Sequence, residues 1–358
     1  MASKALYITS VVTFSGKTSL CLGLGLQMQN DGLRVGYLKP VGTQPLMVND
    51  RLADEDANFV RQVLRLEKPP HELSPMIVTP QLLEDVMAGK KREEFQLDLS
   101  TIFANMQRDK DIVLLEGGTS LRDGYVVGLN PNTVVETLKV PVLSVTRWRD
   151  LRSVMDDILA TQRRLGEYLQ GVVINAVPDT EYELVQDRLI PYLEKQEGIR
   201  VYGFLPYQQS LQAVTIGEIV ELTDAEVLTG ANMQSKLVES LTVGAMTVES
   251  ALPRFRRQIN KAVVTGGDRA DIQAAALETS TTVLVLTGNL HPSPSILKMA
   301  EERGVAVLLV RQNTIDTVES IEKIFGRTRL GQAEKLNRFQ AMISDHLDYA
   351  RLKADLGL

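Results

Sequence analysis

The run Ala5-Leu6-Tyr7-Ile8-Thr9-Ser10, then Val11-Val12-Thr13-Phe14, then Ser15-Gly16-Lys17-Thr18, decides the fold. Residues 5–8 are apolar and short, as a buried strand requires. Residues 17 to about 30 repeat their leucines at helical spacing until Asp31-Gly32 stops them. Ser15-Gly16-Lys17-Thr18 thus falls at the first strand-to-helix turn, where a P-loop belongs. Backbone N–H groups from Ser15 to Ser19 and the helix N-terminus make an anion cradle there. In such a loop Lys17 reaches the outer phosphates and the Thr18 hydroxyl holds Mg²⁺. A P-loop carries a further glycine five residues before Gly16, and here that place holds Val11. Two other readings stay open: an ordinary glycine-capped turn with a solvent-facing lysine, and a degraded loop that binds nucleotide poorly.

Outward from this turn, residues 34–38, 111–115, 140–145, 172–174 and 201–205 form further apolar runs. Runs apolar on both faces suit a parallel sheet covered by helices. Their alternation with helical stretches predicts a doubly wound α/β domain. After Leu205-Pro206 the texture turns polar and irregular through residues 208–223, which marks a boundary. The expected division is 1–209, a P-loop domain; 215–330, a smaller α/β domain; and 331–358, a helical tail. The second domain has expected strands at 243–246, 262–265, 282–286 and 305–310. On the tail, Leu336, Phe339, Met342, Ile343, His346 and Leu347 share one stripe. That stripe is expected to pack on a neighbouring element or a second copy, and from it a homo-oligomer is expected.

The 358 residues suit two or three domains at roughly 100–200 residues each. Lys plus Arg is 39 and Asp plus Glu is 45, a formal net charge of −6. An acidic chain has no global attraction for nucleic acid or anionic lipid. The single cysteine, Cys21, excludes an internal disulfide framework and a cysteine-based zinc site. His71, His291 and His346 lie far apart and suggest no metal site. No stretch approaches the ~20 apolar residues of a membrane span, and the start lacks a signal-peptide pattern. A cytoplasmic protein is expected.

Three more residues are placed to reach the crevice above the first loop. Glu116 ends a strong strand, a position that points into the crevice of a parallel sheet. Asp56, in Asp54-Glu55-Asp56-Ala57, is a further oxygen ligand or simply an acidic helix start. Lys39, before Pro40, stands at the second strand's carboxyl edge, where it could neutralise a γ-phosphate or a carboxylate. Elsewhere, Gly266-Gly267-Asp268-Arg269 is either an anion-binding turn, with Arg269 assisting, or a glycine-rich connection with Asp268 as N-cap. Cys21 reads as a packed small apolar group; Arg147-Trp148-Arg149-Asp150, near the expected nucleotide edge, either stacks Arg or Trp on a base or is a surface or partner-facing segment. The mixed run Lys90-Lys91-Arg92-Glu93-Glu94 reads as a solvated face.

With these residues collected, the stretch from Tyr7 to about Pro206 resembles dethiobiotin synthetase and related P-loop amidoligases. The matching pieces are Gly16-Lys17-Thr18, Gly36-Tyr37-Leu38-Lys39-Pro40-Val41, Asp56-Ala57, Glu116-Gly117, Asn175 and Gly203-Phe204-Leu205-Pro206. The resemblance implies Mg²⁺ ligands Thr18, Asp56 and Glu116, a lysine on substrate and γ-phosphate at Lys39, a loop threonine for substrate at Thr13, and an adenine reader at Asn175. Residues 1–330 also resemble the N-terminal regulatory half of long bacterial phosphotransacetylases, which joins such a domain to a DRTGG domain. The second-domain match is Val243-Gly244-Ala245-Met246, Thr265-Gly266-Gly267-Asp268-Arg269-Ala270-Asp271-Ile272 and Leu286-Thr287-Gly288. The acetyl-transfer domain of that family follows the point where this chain stops, so acetyl transfer is not expected of it. The amidoligases' Glu-Gly-Ala-Gly-Gly loop appears here as Glu116-Gly117-Gly118-Thr119-Ser120, which favours nucleotide binding over dethiobiotin chemistry.

The expected function is an ATP- and Mg²⁺-binding regulatory or adaptor protein with slow hydrolysis at most, its second domain sensing a ligand or a protein partner. The alternatives are an ATP-dependent ligase or carboxylase using Lys17 and Lys39, and a structural module that has lost nucleotide binding.

Overall fold

The computed structural model describes residues 4–89, 98–325 and 333–358. The charge run at 90–94 and the expected break near 330 lie outside these residues. Two compact units result: one holds the chain up to Tyr207 together with the C-terminal helices, and the other begins at Gln208 and interrupts it.

Among the described residues, the first unit is built on ten strands in chain order: β1 (Lys4–Thr9), β2 (Val35–Leu38), β3 (Val41–Gly42), β4 (Pro45–Val48), β5 (Arg51–Asp54), β6 (Met76–Ile77), β7 (Ile112–Glu116), β8 (Val142–Arg147), β9 (Leu169–Val177) and β10 (Val201–Pro206). Six form one sheet in the order β10-β9-β8-β1-β7-β2. Every neighbouring pair in it is parallel. The chain leaves β1 toward β2, returns to β7, then crosses to β8 on β1's other side. Right-handed crossovers in opposite directions place helices on both faces, so β1 marks the switch point. β2 and β7 are buried along their whole length, as the two-sided apolar runs required. β4 and β5 form an antiparallel hairpin that the sequence reading did not foresee.

The helix Lys17–Asn30 has the expected bounds. It is buried nearly all round: Leu20, Cys21, Leu22, Leu24 and Met28 are all inaccessible. The tail covers its outer side. Two helices, Ala333–His346 and Tyr349–Leu356, form that tail. At Gly23 an added Cβ would lie 2.1 Å from the Ile343 side chain, so glycine admits the close approach. Phe339, Met342, Ile343 and Leu347 are buried. Leu347 bridges Gly203 on β10, and the Asp348 amide donates to the Tyr202 carbonyl at 2.6 Å. Lys353 pairs with Asp31 at 2.6 Å, just past the end of the first helix. Of the two partners expected for the stripe, a neighbouring element or a second copy, the structure shows the first, so the stripe gives no ground for a homo-oligomer.

The second unit carries β11 (Val214–Thr215), β12 (Glu226–Thr229), β13 (Leu237–Val238), β14 (Ser240–Val243), β15 (Lys261–Gly266), β16 (Thr281–Thr287) and β17 (Ala306–Leu309). Its sheet runs β12-β17-β16-β15-β14, with β12 antiparallel at the edge. The strand expected at 243–246 lies three residues earlier, at Ser240–Val243, and Gly244 beyond it packs closely: an added Cβ would meet Ile272 at 2.5 Å. The four parallel strands follow in order without reversal. Their three crossover helices therefore pack on one face, around Phe255, Ile272, Ala276, Ile296 and Ala300. Ile216, Ile219 and Ile321 cover the other face. Residues 208–223, expected to be irregular, contain helices Gln209–Gln212 and Ile216–Thr223, the second opened by a Thr215–Glu218 capping box.

Lys261 is fully buried at the start of β15, its ammonium donating to Thr279 Oγ1 and the Ser280 carbonyl, each at 2.9 Å. Burial lowers it from 10.5 to about 8. Between those values the native chain has released this proton while the unfolded chain keeps it, so stability rises with pH across that window and is lost as pH falls through about 8. Urea titrations at pH 7.5 and 9.5 are expected to show this rise, and a smaller one in Lys261→Met. An equal rise in both proteins would remove Lys261 as a source.

Candidate functional site

The candidate site lies at the carboxyl ends of β1 and β7, beside the switch point. Gly16 precedes the first helix in a left-handed conformation (φ 100°). The Lys17 side chain is buried and its ammonium turns back over the loop. It donates to Ser10 Oγ at 2.8 Å and to the Thr119 carbonyl at 3.1 Å, with Ser15 Oγ at 3.5 Å. These partners are neutral oxygens. Burial lowers Lys17 from 10.5 to about 8, against the opposing pull of Glu116. The ordinary-turn reading, with a solvent-facing lysine, is therefore not what the structure shows. Ser15 and Ser19 are buried beside it, and Thr13 is exposed on the loop.

Glu116 comes from the end of β7 and is inaccessible. Thr18 Oγ1 donates to its Oε1 at 2.5 Å, and Tyr37 Oη donates to Oε2 at 2.8 Å. Burial pushes Glu116 above its ordinary value; Lys39 opposes this and Asp56 adds to it. Asp56 and Lys39 thus act on the same pocket as the loop. Lys39 donates to Asp54 Oδ1 at 2.8 Å and to Asp56 Oδ2 at 2.6 Å. Burial disfavours its charge, but Asp56, Glu116 and Asp54 outweigh that and hold it above the ordinary lysine value. Asp54 also caps the helix Glu55–Val63, accepting from Ala57 N at 3.1 Å, and accepts from the Thr43 and Gln44 amides. The ammonium expected over the crevice is therefore held by two carboxylates.

Thr18 and Glu116 supply hard oxygen atoms next to a phosphate-type loop, and Asp56 adds a carboxylate whose Oδ2 is paired with the Lys39 ammonium. That donor set fits Mg²⁺, which takes one or two carboxylates and leaves other positions to phosphates and water. Among the described residues, no group of three or more His, Cys, Asp or Glu side chains is gathered for a metal.

Asn175, on β9, does not stand apart from the loop. Its Nδ2 donates to the Ser15 carbonyl at 2.7 Å. Arg147, on β8, donates to the Phe14 carbonyl at 3.0 Å. Trp148, expected at the surface, is buried among Val154, Ile158 and Ile174. Sequence reasoning missed Asp54, Tyr37, Ser10 and Thr119 as site neighbours; Arg147, expected near the nucleotide edge, meets the loop backbone instead of a base. Only Ser10 and Asp54 had a local cue, the first by adjacency to the loop and the second as an N-cap type before Glu55.

In the second unit, Gly266, Gly267, Asp268 and Arg269 follow β15. At Gly267 an added Cβ would sit 1.7 Å from the Leu290 carbonyl, so close packing accounts for that glycine. Arg269 pairs with Asp271 at 3.0 Å and donates to the Met246 carbonyl at 2.9 Å. Asp268 is exposed and does not cap the helix Ala270–Leu277, whose N-cap is Arg269. Cys21 is inaccessible, and burial raises its thiol well above the ordinary value.

A parallel sheet with a lysine-bearing loop at its switch point defines a P-loop type of domain. The chain belongs to the AAA domain family, whose model matches residues 4–215, and it carries a DRTGG domain over residues 218–324. It is similar to the phosphate acetyltransferase of Pseudomonas aeruginosa, 24% identical over 366 residues that cover 96% of this chain and 50% of that protein. The phosphate acetyltransferase of Nitrosomonas europaea is 23% identical over 357 residues, covering 95% and 50%. The chain thus spans about half the length of the curated relatives it matches. Among solved structures, the CBS and DRTGG domains of the regulatory region of Clostridium perfringens pyrophosphatase, complexed with diadenosine tetraphosphate, are 17% identical, with 38% of this chain and 69% of that one covered and a TM-score of 0.29. Among the described residues, no helix is long and apolar enough to cross a membrane.

Proposed function

We propose that the first unit binds ATP with Mg²⁺ and that the chain works as a nucleotide-responsive regulatory or adaptor protein. The buried Lys17 ammonium carries this reading. It is held over the loop by neutral oxygens that a triphosphate's charge would displace, and a burial-weakened cation gains most from an anionic partner. Backbone amides from Ser15 to Ser19 supply the cradle, with Thr13 at its rim. Thr18, Glu116 and Asp56 would hold Mg²⁺, which when bound neutralises phosphate charge. Tyr37 orients the Glu116 carboxylate. The DRTGG domain is the module offered to a ligand or protein partner.

Lys39 bears on the ligase alternative. An ammonium already held by Asp54 and Asp56 is not available to an acid substrate without breaking those pairs. ADP release measured with and without a panel of acids and amines separates the two functions. A flat, slow rate supports regulation, and a rise of roughly tenfold or more with one substrate supports a ligase. The same preparation is expected not to exchange acetyl groups between phosphate and CoA.

Glu116→Gln tests the metal. It keeps the shape of the side chain and removes its charge, so ATP affinity in Mg²⁺ is expected to fall roughly tenfold while affinity in EDTA stays the same. Equal loss in both conditions would mean that Glu116 supports the loop and not the cation.

A further inference from the structure

The loop from Ser10 to Gly16 closes without a glycine at position 11. It also holds a non-glycine residue, Phe14, in the left-handed region (φ 53°), where a side chain is strained. Three of its carbonyls are tied down from side chains. Ser10 Oγ donates to Val12 O at 2.8 Å, Arg147 Nη1 to Phe14 O at 3.0 Å, and Asn175 Nδ2 to Ser15 O at 2.7 Å. Arg147 and Asn175 are register partners on the adjacent strands β8 and β9, so both tethers come from one point of the sheet. That point is itself fixed, because the Trp148 amide donates to the Asn175 carbonyl at 2.7 Å. The orientation of the carboxamide is fixed as well: its Oδ1 accepts from the Ala176 amide at 2.8 Å, which leaves Nδ2 facing the loop. The fit is close, since a Cβ on Gly16 would stand 2.3 Å from Asn175 Nδ2.

We propose that Arg147 and Asn175 are positioning residues that hold the phosphate loop in shape from the neighbouring strands, at the strained Phe14 and the residue after it, and that the Asn175 carboxamide serves the loop and does not read a nucleobase. The affinity that Asn175 supports then comes through the triphosphate and its loop, whatever the base. This rests on the nucleotide reading above and assigns Asn175 a role other than the one its resemblance implies.

Two measurements test it. The first needs no ligand: hydrogen exchange of peptides covering residues 10–18 in the intact chain, in Asn175→Ala and in Arg147→Ala, with the β15–β16 region as an internal reference. Loss of a tether is expected to speed loop exchange roughly tenfold at unchanged reference protection. The second is the affinity of the same proteins for Mg-ATP, Mg-GTP and Mg-tripolyphosphate. Asn175→Ala is expected to weaken all three by a common factor, roughly tenfold. Unchanged loop exchange in both variants overturns the proposal. So does an Asn175→Ala protein that loses ATP affinity while keeping its hold on tripolyphosphate, since the amide would then be reading the base. An intact chain that binds none of the three removes the nucleotide reading, and the exchange measurement alone then decides the tethers. Should Asn175→Ala fail to fold, Arg147→Ala, altered at a partly exposed side chain, carries both measurements.

Discussion

Lys17→Ala is expected to weaken Mg-ATP binding roughly 100-fold and to leave the chain folded. Its ammonium is nearly inaccessible and meets only neutral oxygens from Ser10, Ser15 and Thr119. Burial already lowers its proton affinity to about 8, so the empty protein loses little stability when the charge goes. The complex loses more. A hydrogen bond to a charged partner contributes about 1.5–3 kcal/mol, and the phosphate is left desolvated without its cation. A factor of 100 corresponds to about 2.7 kcal/mol. Calorimetry gives the affinity, and urea denaturation checks the fold. A variant that binds as tightly as the parent would remove Lys17 from the site.

Lys39→Met is expected to act on stability. Lys39 and Asp54 are both buried and 2.8 Å apart. Removing one partner of a buried ion pair costs about 3–5 kcal/mol, because the other charge remains without compensation. Asp54 keeps three backbone amides, from Thr43, Gln44 and Ala57, which places the expected loss near the lower end of that range. Urea unfolding measures it. Unchanged stability together with lost nucleotide affinity would make Lys39 a binding residue, as the resemblance to amidoligases implies.

The sequence made the sheet legible where its signal was local. The helix Lys17–Asn30 was read at its observed bounds, since leucine spacing and the Asp31-Gly32 stop are written within it. β1, β7, β8 and β10 announced themselves because apolar residues dominate strands covered on both faces, and the polar ones inside β8, Ser144 and Thr146, are small and buried. The Thr18–Glu116 contact followed from topology: Glu116 ends β7, and Thr18 opens the helix that follows the neighbouring parallel strand β1. The Lys39–Asp54 pair did not, because it depends on the β4–β5 hairpin, whose four-residue, partly exposed strands are too short and mixed to show a two-sided apolar run. The helix Ile216–Thr223 was missed although Thr215-Ile216-Gly217-Glu218 spells a capping box; the polar residues around it masked the cue. The tail stripe said that one face is buried and could not say against what. Gly23 held part of the answer, since a glycine inside an otherwise leucine-rich helix marks a close approach. Arg147 and Asn175 became loop tethers only once β8 and β9 were in register.

Nucleotide binding here requires a triphosphate to displace the contacts that now occupy Lys17. Crystals grown with Mg²⁺ and a non-hydrolysable ATP analogue test this most directly. The result expected is density for the triphosphate along the amides of Ser15 to Ser19, with the Lys17 ammonium moved from Ser10 and Thr119 onto phosphate oxygens. A crevice still vacant at saturating analogue, with Lys17 on Ser10 and Thr119 as before, would contradict it.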